Sequence, residues 1–173
     1  MSSTVVRLAV TLLLTLFLLA LESVVVKYLG LSVARIDVTV AIVAFLALRA
    51  GLLEGALAAY AVGYLLDLMT GQPTGLYTLV ALVTFLLGRF TASLVDVRSA
   101  ISFAGFAMAG DVAHGLLAWA IGGVTGKQLH LAALAGLPLE VMLTGLAALL
   151  LYPLLRRFGL GAERREPGLL GNR

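Results

Sequence analysis

The chain has 173 residues, 61% of them apolar and only 12% charged, with a formal net charge of +3. A soluble domain is about a quarter charged because its surface faces water. This composition therefore excludes one, and the long apolar runs between clustered charges require a lipid cover. The absence of cysteine excludes disulfides, thiolate metal sites and cysteine nucleophiles. The two histidines, His114 and His130, are too far apart in sequence to suggest a histidine metal centre. Basic residues sit at the ends of apolar runs and in the C-terminal tail, where they read as topology signals and not as a nucleic-acid surface.

An apolar helix needs roughly 20 residues to cross the hydrocarbon core. Six runs are candidates, which predicts an all-α integral membrane protein with about six transmembrane helices. Leu8–Tyr28 is long enough, interrupted by Glu22; it lacks a small-residue cleavage pattern and reads as a retained helix. Ile36–Leu48 is short, so it is either a short span or a re-entrant segment. Leu52–Met69 is closed by the breaker cluster Thr70-Gly71-Gln72-Pro73-Thr74-Gly75. Leu76–Val95 carries Arg89, Ser99–Val124 carries Asp111 and His114, and Leu131–Leu155 carries Pro138, Glu140 and Pro153. Residues 1–155 then form a single membrane domain, followed by a basic cytoplasmic tail over 156–173.

Orientation follows from the lysines and arginines. A cytoplasmic N-terminus puts Arg7, Arg49, Arg89, Arg98, Arg156, Arg157, Arg164, Arg165 and Arg173 inside, against Lys27, Arg35 and Lys127 outside. This bias predicts that both termini are cytoplasmic. Trp119, Tyr28, Tyr64 and Tyr77 fall near the outer ends and Tyr152 near the inner end, as expected of rings that prefer the membrane interface.

Gly51, Gly55, Ala59, Gly63 and Asp67 recur every four residues and form one ridge on the third helix. Small residues at that spacing let another helix approach closely, giving contact that lipid cannot match. The other helix belongs either to the same chain or to a partner, including a second copy in a homodimer. A carboxylate at membrane depth costs about 2.5–3.5 kcal/mol on insertion scales, so Asp67 must face protein or a wet cavity. Either it accepts hydrogen bonds from loop N–H groups such as those of Gly71 and Gly75, shaping the turn with Pro73, or it offers a polar site at the outer mouth.

Asp111 and His114 are three residues apart and share a helix face. They form either a proton relay, a polar site, or a bond that holds two helices in register. No serine nucleophile or third metal ligand completes a reaction centre, and nucleotide, hydrolase and zinc-protease motifs are absent. The expectation is a non-enzymatic protein with no metal and no cofactor.

The run Gly51-Leu-Leu-Glu-Gly55, then Gly63-Tyr-Leu-Leu-Asp67-Leu-Met-Thr-Gly71-Gln-Pro73-Thr-Gly75-Leu-Tyr77, with Gly88-Arg89 closing the next helix, resembles the core signature of the rod-shape-determining MreD family. The resemblance implies a bacterial inner-membrane scaffold of the cell-elongation machinery, which makes peptidoglycan. It also implies MreC as direct partner, with RodA and its penicillin-binding transpeptidase nearby and MreB acting indirectly. The implied fold is similar to that of the substrate-binding subunits of energy-coupling-factor transporters. The competing reading is such a subunit itself, importing a vitamin or metal cation through a pocket lined by Asp67, Asp111 and His114.

Overall fold

Six helices follow one another in the chain: α1 (Ser3–Leu29), α2 (Val38–Arg49), α3 (Leu52–Met69), α4 (Leu76–Ala92), α5 (Ala100–Val124) and α6 (Leu137–Arg157). The computed structural model describes residues 3–29, 37–70, 75–124 and 136–157, and there is no strand among them. Gly71, Pro73, residues 131–135 and the tail beyond Arg157 lie outside the described residues.

The organising element is the shortest helix. Asp37 opens α2 by accepting a hydrogen bond from the Val40 N–H at 3.0 Å, which satisfies one of the donors that a helix start leaves open. Every residue from Val38 to Ala47 is buried. A helix that is apolar all round belongs in the middle of a bundle, and α2 packs against α1, α3, α4, α5 and α6. Those helices follow one another around it in the order α1, α3, α4, α5, α6. α2, which begins within the short 36–48 run, is thus a central hub. Its 12 residues make a rod about 18 Å long, well short of the hydrocarbon thickness.

By length and composition, α3, α5 and α6 are suited to crossing a membrane, while Ala9–Val24 of α1, α2 and α4 form shorter apolar helices. Among the described residues three helices meet that measure, so six spans are not shown. The outer ring presents large apolar side chains, among them Leu13, Phe17, Leu53, Phe90, Ile101 and Leu150. A soluble protein would bury such a surface, whereas lipid can cover it.

Phe45 of α2 meets the Phe103 ring edge-on at 6.0 Å, and Tyr152 of α6 completes the cluster, 5.1 Å from Phe103. Such pairs favour edge or tilted geometry because ring faces are negative and edges positive. Tyr152 is buried near the end of α6, and its hydroxyl donates to the Arg98 carbonyl at 3.1 Å. α5 starts on a reciprocal cap. Ser99 Oγ accepts from the Ser102 N–H and Ser102 Oγ from the Ser99 N–H, each at 3.0 Å.

Candidate functional site

Two polar features are built into this apolar frame. The first is the α3–α4 hairpin. A Cβ placed on Gly63 would come within 2.7 Å of Thr78 Cα and 2.8 Å of the Tyr77 carbonyl oxygen, so the α4 backbone itself occupies the space. At Gly55 it would strike the Phe85 ring, and Ala59 between them is fully buried. The ridge is therefore filled by α4 within the same chain. Gly55 and Gly63 thus pack against α4, with Ala59 buried between them. Gly51 stands apart: it is the exposed residue before α3, with open space where a side chain would go.

Asp67 closes the ridge and is 1% exposed. Its Oδ1 accepts from the Tyr77 N–H at 3.2 Å, and its Oδ2 accepts from the Thr78 N–H at 2.9 Å and the Thr78 hydroxyl at 2.6 Å. The residue in the N-cap position of α4 is Gly75, whose φ of +73° lies in the left-handed region and which has no side chain to cap with. Asp67 does that work from the neighbouring helix, and a carboxylate at a helix N-terminus also gains from the helix dipole. The described donors to Asp67 are Tyr77 and Thr78, the second and third residues of α4, while Gly71, one of the two expected donors, lies outside the described residues. An open cavity of about 460 Å³ adjoins this hairpin, with Tyr60, Tyr64 and Thr78 in its wall beside Asp67. The Tyr60 and Tyr64 rings stack one helical turn apart at 6.4 Å.

The second feature lies where α2, α4, α5 and α6 meet. Asp111 and His114 are both buried, 4% and 5% exposed. Their shared face is as expected, but the ring's partners lie on other elements. His114 Nδ1 is 3.3 Å from the Thr84 hydroxyl, and Nε2 is 3.8 Å from Asp37 Oδ2. The Thr144 hydroxyl accepts from the Asp37 N–H at 3.0 Å and also reaches the Asp111 carboxyl. Asp111 Oδ2 is buried without a hydrogen-bond partner.

Sequence reasoning missed Asp37, Thr84 and Thr144. For Asp37 a signal existed, since an aspartate immediately before an apolar run is an N-cap pattern. The two threonines gave none, because a threonine in an apolar helix reads the same whether its hydroxyl bonds its own backbone or a distant carboxylate. Arg89, read as a topology anchor, also donates to the Ala50 carbonyl and so ties α4 to the α2–α3 junction. Among the described residues, no group of three acidic or histidine side chains is placed to hold a metal ion.

Among the described residues these features define an all-helical arrangement with an apolar exterior, three helices suited to crossing a membrane, and polar side chains turned inward to join helices. No family model, curated protein or solved structure matches the chain.

Proposed function

We propose that this chain is a non-enzymatic scaffold subunit in a bacterial inner membrane, of the MreD kind, with both termini cytoplasmic. In this reading it assembles with the transmembrane helix of MreC in the cell-elongation complex that makes peptidoglycan. The observation that carries the proposal is the use made of the signature residues. Gly55, Gly63, Asp67 and Gly75 together shape one hairpin, and the Asp67 oxygens are engaged in capping α4. A segment whose distinctive residues act on shape suits a protein whose work is to hold partners. In lipid such holding rests on close packing of helices, because lipid tails are as apolar as the side chains they would replace. Since α4 fills the glycine ridge, the partner helix docks elsewhere on the outer ring.

The second reading, the substrate-binding subunit of an energy-coupling-factor importer, draws on the open cavity beside Tyr60, Tyr64 and Thr78, whose volume suits a small molecule. A mild-detergent pull-down from native membranes, with partners identified by mass spectrometry, separates the two. The scaffold reading expects MreC and the elongation synthases. Recovery of paired ATPase subunits with a coupling membrane protein, and no MreC, would overturn it in favour of the importer.

A further inference from the structure

The α2–α5–α6 junction gathers acidic side chains from three helices. Asp111 lies in the middle of α5, where a charge is farthest from water in a spanning helix. From α2 comes Asp37 and from α6 Glu140, both within electrostatic reach of the Asp111 carboxyl. From α5 itself comes His114, whose Nε2 faces Asp37, and from α4 comes the Thr84 hydroxyl on Nδ1. Thr144 joins the two aspartates, with the Asp37 N–H on its hydroxyl oxygen and its hydroxyl directed to Asp111. One oxygen remains, Asp111 Oδ2, buried and without a hydrogen-bond partner.

An ionised carboxylate in such a place would be costly, since burial removes water and no donor replaces it at Oδ2. We propose that Asp111, Asp37 and His114, joined by Thr144, form a proton-binding site in the core of the bundle, with the proton carried on Asp111 Oδ2. Binding takes a proton from water and forms one O–H bond at that oxygen. Loss of the proton sets the Asp111 and Asp37 carboxylates against each other where the hub helix α2 begins. Protonation is thereby coupled to the seating of α2 against α5 and α6. The site is independent of the partner assignment above.

The test is infrared spectroscopy of the full-length chain in lipid vesicles, with carboxyl-labelled aspartate, titrated across pH. At neutral pH the expected spectrum contains the carbonyl stretch of a protonated carboxylic acid that shifts with the aspartate label. That band is lost in Asp111→Asn, kept in Asp96→Asn, and moved in frequency by Thr144→Val but not by Thr144→Ser. The threonine pair supplies the assignment if Asp111→Asn does not fold. A neutral-pH spectrum with no label-sensitive acid band overturns the proposal, as does a band that survives Asp111→Asn or ignores Thr144→Val.

Discussion

Replacing Asp67 by alanine tests the hairpin most directly. The substitution removes an acceptor of three hydrogen bonds, from the Tyr77 N–H, the Thr78 N–H and the Thr78 hydroxyl. Loss of an N-cap alone costs about 0.5–2 kcal/mol, and a hydrogen bond to a charged group contributes about 1.5–3 kcal/mol. The contributions overlap, because the two N–H groups belong to one helix start and the freed Thr78 hydroxyl can rotate to a backbone carbonyl. The expected loss is about 3 kcal/mol. Asp67→Asn keeps one acceptor oxygen but sets an NH₂ group against one of the N–H donors, so about half that loss is expected. The assay is reversible unfolding in mixed micelles followed by circular dichroism, with a double-mutant cycle against Thr78→Val to isolate the hydroxyl contribution. If Asp67→Ala unfolds within about 0.5 kcal/mol of the parent, the capping account is wrong. If the alanine variant is stable but loses binding of a small molecule, the carboxylate serves a ligand instead.

Three further predictions use the same assay. Gly63→Ala is expected to cost about 1–3 kcal/mol, because its Cβ meets α4 backbone and the helices must part, while Gly51→Ala stays within about 0.5 kcal/mol; equal effects would contradict the packing described. Gly75→Ala places a Cβ in a left-handed conformation and should cost about 1–2 kcal/mol despite open space around it; a neutral result would mean that the turn is not held at φ +73°. Phe45→Ala empties the centre of the Phe45–Phe103–Tyr152 cluster, with an expected loss of about 3–5 kcal/mol, and a loss below about 1 kcal/mol would show that α2 is not the packing hub.

Much of this molecule is local and therefore legible in its sequence. Helix existence and boundaries follow from apolar run length and breakers: the run ahead of the Thr70–Gly75 cluster predicts a helix over Leu52–Met69, and α3 has those bounds. The four-residue spacing of Gly55, Ala59, Gly63 and Asp67 put them on one face without any knowledge of what that face would touch. The location of Asp67 one turn before a glycine-rich loop likewise pointed to a shaping role. α2 was harder, because a short apolar run reads the same as a span, a re-entrant segment or a buried core helix until its neighbours are known.

Tertiary structure decided which surfaces meet. The ridge on α3 could have served a partner, but α4 fills it, since the Thr78 and Tyr77 backbone lies where a side chain on Gly63 would go. The Asp111 and His114 spacing fixed their common face but not their partners: Thr84, Asp37 and Thr144 are distant in sequence and come together only when α2, α4, α5 and α6 pack. Periodicity along one helix records which side must be covered, because backbone geometry repeats with a fixed pitch. It holds no record of what covers that side, because helix pairing depends on side chains from separate stretches of chain fitting at close range.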